Sequence, residues 1–251
     1  MTGTQLPAPL PPRKTMHEPG EVLVYDEIVP CPYLAGREAR MPLRSQIGKL
    51  AGDQFDQRLA AGDRRTGPFL YRTACPNCRA CQPIRIPVDE FQPNRSQRRV
   101  LRRGDRAIQI YIGQPVADEL RTDLYNKHST ERGLNTQQEF VSVNHYREFL
   151  VTSCCDTVEI NYVVDDALAA VAILDRGAKA ISAVYCFFDP DYSRLSLGVY
   201  SVLTQLRLAQ MWKMDYLYLG LYIAESPHMN YKTVYRPHEL LVDGQWIRPV
   251  T

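Results

Sequence analysis

Residues 157–188 read TVEINYVVDDALAAVAILDRGAKAISAVYCFF. Two runs rich in β-branched and apolar residues, Thr157 to Val164 and Leu168 to Leu174, are separated by Asp165 and Asp166. Two short polar residues between strand-like runs predict a tight hairpin. A turn at Gly177 returns the chain into a third run, Ile181 to Phe188, which completes an antiparallel meander. Downstream, Val199, Val202, Leu203, Leu206 and Ala209 recur at helical spacing, and the aromatic-rich run Tyr216 to Leu221 follows. A strand reached through a helical crossover lies parallel to an earlier strand. The expected class is therefore α+β, with α and β elements mixed around a sheet that has both strand directions.

Upstream, Asp118 to His128 reads as a helix after Pro115, and Thr136-Gln-Gln-Glu139 has the spacing of a capping box opening a second helix that runs to about Leu150. Between Gly113 and Val116 the composition shifts from basic to mixed, so we divide the chain into a Pro-rich leader (1–20), a smaller Cys/Arg-rich region (21–113) and a C-terminal domain (114–251). Within the middle region, Glu21 to Ile28 reads as a strand. Ser45 to Ala61, with Ile47, Leu50, Ala51, Phe55 and Leu59, reads as an amphipathic helix. Phe69 to Thr73 and Ile84 to Val88 are short strands flanking a cysteine loop, and Ser96 to Arg103 is a short basic helix.

The charge is concentrated. Arg64 to Arg106 holds eleven arginines, no lysine and only Asp89, Glu90 and Asp105 as acids, so this window carries +8 in a chain of net +2. Arginines scattered over a surface merely solubilise it; gathered on one face, they suit a polyanion, and Arg95, Arg98, Arg99 and Arg102 on neighbouring turns are placed to grip phosphates. Nothing in the sequence approaches the uninterrupted apolar stretch of a membrane span, and the leader lacks the apolar core of a signal peptide, so cytoplasmic residence is expected. Seven cysteines, three of them spaced as Cys75-x-x-Cys78-x-x-Cys81, suit metal ligation or thiol chemistry better than a disulfide framework. Cys154, Cys155 and Cys186 read as core residues.

The order helix, helix, strand, strand, strand, helix, strand is that of the GNAT acyltransferase fold, in which the donor enters between two splayed central strands. A more specific likeness comes from motifs read together: Cys31-Pro-Tyr-Leu-x-x-Arg-x-x-Arg40; Tyr71-Arg-Thr-Ala-Cys-Pro-Asn-Cys-Arg-Ala-Cys81; Phe188-Asp-Pro-Asp-Tyr-Ser-x-x-Ser196-Leu-Gly198; Asp215-Tyr-Leu-Tyr-Leu-Gly220; and Met229-x-Tyr-Lys-x-x-Tyr-Arg-Pro237. Between about Gly20 and Pro237 the chain resembles the arginyl-tRNA:protein transferase family, and at this length its short bacterial branch, the aspartate/glutamate leucyltransferases. The resemblance implies transfer of leucine, or alternatively arginine, from aminoacyl-tRNA to the N-terminal amine of proteins beginning with Asp or Glu, which marks them for degradation. The implied partners are charged tRNA and those proteins, not DNA and not a membrane. No cofactor is required by such a reaction, although relatives with a second Cys-x-x-C pair point to a metal or iron-sulfur centre. Here the position three after Cys31 is Leu34, so such a centre would need Cys31, Cys75, Cys78 and Cys81.

The aminoacyl ester is already activated and the acceptor amine has a pKa of about 8, so positioning and oxyanion stabilisation carry the reaction. We expect Tyr185 and Asp189, at the end of a central strand, to orient the amine. Backbone amides near Ser196 to Val199, at a helix N-terminus, would hold the donor's 3′ end or the developing oxyanion. Arg194, Ser196, Lys232 and Arg236 are the candidate substrate-binding residues, the cations serving a carboxylate or phosphate. For Tyr216, Tyr218, Tyr222, Tyr231 and Tyr235, packing in and around a strand is the simpler reading. Two other functions compete. An acyl-CoA-dependent acetyltransferase would want a Gly-rich pyrophosphate turn, where this chain offers Gly198 alone; a non-catalytic zinc-ribbon module binding nucleic acid would want two Cys-x-x-Cys knuckles, where only one overlapping triplet exists.

Overall fold

The computed structural model of this protein describes residues 20–134 and 140–249. The leader up to residue 19 and the capping box at Thr136 to Glu139 lie outside the described residues. In chain order come β1 (Glu21–Tyr25), β2 (Ile28–Pro30), β3 (Glu38–Arg40), β4 (Leu43–Gln46), α1 (Gly52–Ala60), β5 (Arg64–Thr66), β6 (Phe69–Tyr71) and β7 (Gln82–Pro87). There follow α2 (Arg95–Ala107), β8 (Gln109–Gly113), α3 (Glu119–Glu131) and α4 (Val143–Tyr146), which runs on as a π-helical turn to Val151. The rest comprises β9 (Asp156–Val164), β10 (Ala167–Arg176), β11 (Ala180–Phe188), α5 (Leu197–Met211), β12 (Tyr216–Tyr222), β13 (Glu239–Val242) and β14 (Gln245–Ile247).

One sheet of eight strands, in the order β14-β13-β7-β12-β11-β10-β9-β8, forms the frame; β1-β4-β6-β5 form a smaller sheet and β2-β3 a ribbon. The meander is found where the sequence puts it. Asp165 and Asp166 both adopt positive φ, 49° and 62°, the backbone a two-residue hairpin needs to match strand twist. After the α5 crossover, β12 lies parallel to β11, but only Ala180–Ser182 pair with Tyr216–Tyr218. Beyond Ser182 and Tyr218 the two strands run on unpaired to each other, and the sheet opens at their C-terminal ends.

Each face of the large sheet buries its own layer. On one side, Ile84, Ile86, Ile160 and Tyr162 meet Leu203 and Leu206 of α5. On the other, Phe55 and Leu59 of α1 pack with Leu70 and Tyr218, while Leu124, Tyr146 and Leu150 pack with Phe187. Burying each such side chain contributes about 1.5–3 kcal/mol. Helix α2 forms because Asn94 Oδ1 accepts from the Gln97 amide at 3.0 Å while Gln97 Oε1 accepts from the Asn94 amide at 2.8 Å, a reciprocal cap. Its inward residues are Gln97, Leu101 and Gly104. A Cβ on Gly104 would lie 2.2 Å from the Tyr200 ring, so only glycine lets α2 sit this close to α5.

Several boundaries differ from the sequence reading. Residues 45 and 46 belong to β4, paired with β1 and β6, and α1 begins only at Gly52, since Gly48 turns the chain at φ +93°. The basic helix extends to Ala107, four residues past Arg103. The helix expected to reach Leu150 is described from Val143, where the Ser142 hydroxyl accepts from the His145 amide at 3.3 Å, and its second half is π-helical. The compositional break at 113–116 follows β8, and both β7 and β8 contribute to the large sheet alongside β9–β14.

Candidate functional site

The open end between β11 and β12 gathers most of the residues the sequence singled out. From β11 the chain enters a 3-10 turn, Pro190–Leu195, and then α5; from β12 it reaches a second such turn, Asn230–Val234. Helix α2 touches both segments: Arg103 Nη2 donates to Ser196 Oγ at 3.0 Å and Gln97 Nε2 to the Val234 carbonyl at 3.3 Å. Its arginines 95, 98, 99, 102, 103 and 106 are all exposed. Among the described residues none of the six forms an ion pair, because the acid of this helix, Asp105, is held by Arg207 at 2.8 Å. A helix with six uncompensated guanidinium groups presents a strong positive field to solvent.

Ser196 precedes α5 in the left-handed region, φ 55°, and no side chain caps the helix, so its first amides keep free donors beside the end of β11. Arg194 is exposed on the preceding turn. Asp189 is occupied. Its Oδ1 accepts from the Asp191 amide at 2.9 Å and pairs with Lys127 Nζ at 2.7 Å, and Lys127, also bonded to Asp191, is held above the usual lysine range by these two hydrogen-bonded acids. Tyr185 stands on the α3 side of β11, its ring 5.5 Å from Tyr125 and 5.8 Å from Phe149; burial pushes its phenol up. It is therefore a neutral hydrogen-bonding group, not a base.

The two cations expected to act together, Lys232 and Arg236, are placed apart. Arg236 is exposed, and its Nε reaches back to the Thr233 carbonyl at 3.4 Å. Lys232 is 6% exposed; its ammonium donates to the Leu221 carbonyl at 2.5 Å and contacts Met229 Sδ at 3.5 Å. Burial, followed by the charge of Arg64, lowers its pKa from 10.5 to about 7. Arg64 of β5 is itself 6% exposed, and desolvation lowers its pKa too. Its Nη1 has no hydrogen-bond partner. The sequence reading counts Arg64 only as part of the basic window; in the fold both members of the Arg64-Arg65 doublet are buried where β5 pairs with the apolar β6, Phe69–Tyr71.

The metal centre expected at the cysteines finds no support among the described residues. Among the described residues no group of three or more His, Cys, Asp or Glu side chains converges as a metal site, and all seven cysteines are free. The thiols have other business: Cys75 Sγ accepts from the Arg40 amide at 3.5 Å, and Cys78 Sγ accepts from Arg37 Nη1 at 3.6 Å. The Ala80 amide and Arg37 hold Cys78 below the usual thiol range, while burial pushes Cys81 up to about 12. Cys31, Cys75 and Cys78 also lie close enough to raise the Cys81 thiol by charge. Tyr218, read as packing, is buried against Trp246 and Tyr216, and also accepts from Arg85 Nη1 at 3.1 Å.

Comparison with known proteins bears on this site as a whole. Residues 29–99 match the family model described as arginine-tRNA-protein transferase, N terminus, and residues 121–242 match its C-terminus counterpart. A protein named aspartate/glutamate leucyltransferase from Chromobacterium violaceum is 38% identical over 218 residues, covering 86% of this chain and 89% of the relative. One of the same name from Acinetobacter baumannii is 37% identical, covering 87% and 80%. Among solved structures, the C-terminal domain of a lysylphosphatidylglycerol synthetase from Agrobacterium fabrum aligns at TM-score 0.45 and 12% identity, over 57% of this chain and 47% of that one. The two model matches include the α2 arginines up to Arg99, the cysteine loop, both diverging strands and the Lys232 turn, and with relatives alike over nearly their whole length they place this chain in the arginine-tRNA-protein transferase family.

Proposed function

We propose that this protein transfers leucine from charged tRNA to the N-terminal amine of proteins beginning with Asp or Glu, on a GNAT-like frame. The observation that carries this reading is the single basic helix, α2, with six exposed and unpaired arginines, hydrogen-bonded to the segments that leave both diverging strands. It supports a duplex acceptor stem lying along α2, Arg95, Arg98, Arg99 and Arg102 on phosphates, with the 3′ end directed into the opening between β11 and β12.

The chemistry is aminolysis of an ester. The neutral acceptor amine attacks the aminoacyl carbonyl carbon, a C–N bond forms, and the bond to the terminal ribose oxygen breaks; the ammonium proton leaves and the departing ribose oxygen takes one up. The uncapped amides at Leu197 to Val199 are the donors available to the oxyanion, in a position where the helix dipole adds to the stabilisation. Arg194 and the Ser196 hydroxyl, which already accepts from Arg103, line the approach of the 3′ end. Tyr185 offers a neutral hydroxyl, and Asp189, held by Lys127, fixes the turn that aims α5. The reading assigns Arg236 to the outer rim and Lys232 to the interior.

A transfer assay tests it: purified protein, tRNA charged with labelled leucine or labelled arginine, and peptides beginning with Asp, Glu, Lys or Ala. Leucine on the Asp and Glu peptides alone is the expected result. Arginine transfer instead would change the donor, and tRNA binding without any transfer would leave a nucleic-acid-binding module.

A further inference from the structure

We infer that Arg64 and Lys232 form a buried site for one carboxylate, the side chain of the acceptor's first residue, and that this pair sets the preference for acidic N-termini. The inference rests on the leucyl-transfer reading for the identity of the ligand; the site itself rests on geometry. A Cβ placed on Gly220 would lie 3.2 Å from Arg64 Nη2 and 3.6 Å from Lys232 Nζ, so the two cationic groups are within about 7 Å of each other across a glycine. That glycine has φ +85° and sits on β12 just past the last residue paired to β11. Any side chain there would occupy the space between the cations.

Among the described residues no acid forms an ion pair with either group. Lys232 donates to one carbonyl and touches a thioether, and Arg64 Nη1 is unpartnered. Asp175 acts on Arg64 through space, but its own oxygens accept from Arg65 Nε at 2.6 Å and Thr157 Oγ1 at 2.7 Å. The remaining neighbours, Tyr33, Tyr71 and Tyr218, have phenols pushed up by burial and so supply no counter-charge near neutral pH. Two like charges this close and this dry, with a guanidinium N–H left over, are costly in the empty protein and are relieved when an anion enters. The lowered pKa of Lys232 expresses the same deficit. A planar guanidinium and a compact ammonium on either side of a small gap match the two oxygens of a single carboxylate. Backbone phosphates of an RNA already have the exposed α2 ridge.

The test uses the full chain, leucyl-tRNA and peptides beginning with Asp, Glu, Asn or Gln. Wild type is expected to prefer Asp over Asn. In Arg64→Met and in Lys232→Met the Asp-over-Asn ratio of kcat/KM should fall by ~30-fold or more through KM for the peptide, with KM for leucyl-tRNA unchanged. Retained preference in folded variants overturns the site. A raised KM for leucyl-tRNA with preference intact would mean that the cations hold a donor phosphate, which also overturns it. Wild type without transfer to any peptide would instead remove the functional reading. Calorimetry needs no variant: at pH 8, measured in two buffers of different ionisation enthalpy, the Asp peptide should take up more protons on binding than the Asn peptide. Equal uptake counts against the site.

Discussion

Strand β5 buries adjacent arginines, and their environments are opposite. Arg65 has every nitrogen engaged: Nε on Asp175 at 2.6 Å, Nη1 on the Gly67 and Thr152 carbonyls, Nη2 on the Leu150 carbonyl. It ties the small sheet to β10 and to the π-helical turn. Arg64, equally buried, has an idle Nη1, a lysine for a neighbour and no acid of its own. One cation is complete within the fold; the other waits for a charge from outside. The contrast teaches that burial alone does not distinguish structure from function, whereas burial with the hydrogen-bond ledger does.

The largest expected effect breaks this contrast directly. Arg65→Met strands a fully buried Asp175 and should cost about 3–5 kcal/mol in urea unfolding, enough to threaten folding at 37 °C. Arg64→Met removes a charge that no acid among the described residues pairs with directly, Asp175 acting on it only through space, and should unfold at or above the wild-type urea midpoint. Equal destabilisation by both would mean that Arg64 has a structural role and would erase the difference.

A third setting sharpens the comparison. The α2 arginines are solvated, so their attraction for RNA should be screened by salt as the buried pair's is not. Replacing Arg95, Arg98, Arg99 and Arg102 together by Gln should weaken tRNA binding by ~100-fold at low salt and flatten the plot of log affinity against log salt by about four phosphate contacts. Peptide KM and the unfolding midpoint should stay within error, because exposed charges add little stability. Loss of acceptor selectivity in this variant would show that the two cationic regions are not separate.

Legibility in the sequence followed the length scale of the signal. The meander, the α5 crossover and the parallel β12 were readable because each rests on periodicity over seven or more residues or on a turn chemistry such as Asp165-Asp166. The small strands β2 to β5 were not, since three- and four-residue elements hold together by pairing with distant partners, and Ser45 and Gln46 fitted a helical pattern that Gly48 then interrupts. The basic helix and Lys232 could be named from composition and motif. Arg64 could not, because its significance lies in a Lys232 ammonium 168 positions downstream and in the missing side chain of Gly220. The cysteine triplet could be read only as a spacing that permits convergence; that Arg37 and the Arg40 backbone amide donate to two of its thiols depends on contacts distant in sequence.

The pH dependence of selectivity is a smaller effect with a definite sign. In the free protein Lys232 titrates at about 7 beside Arg64 and 6.0 Å from the Tyr231 ring, and Arg64 in turn neighbours the neutral phenols of Tyr33, Tyr71 and Tyr218, with Cys81 beside Tyr33 and Tyr71 held protonated to about 12. A carboxylate pairs with the ammonium, so above pH 7 binding must also supply a proton. The Asp-over-Asn ratio, in which the shared α-amine cancels, should be near its maximum at about pH 5 to 6, where the peptide carboxylate is ionised and Lys232 charged, and fall by about fivefold from pH 7 to 8. In Lys232→Met the ratio should be low and independent of pH.

The same lysine gives the smallest effect, on stability. Its pKa is near 7 when folded and 10.5 when free, so between these values the unfolded chain binds more protons, and Lys232 makes the native state more stable as pH rises. At pH 6 the buried ammonium is charged in both states and its desolvation cost is fully present. Lys232→Met removes that cost and also the bond to the Leu221 carbonyl, which offsets part of the gain. We expect the variant to be about 1 kcal/mol more stable at pH 6, a shift of a few degrees in Tm, with the gap narrowing toward pH 9 in parallel melts that cancel the other titrating groups. A variant less stable than wild type at pH 6 would mean that the ammonium is stabilised by the fold as it stands, and the argument that its charge is held for a ligand would lose its energetic basis.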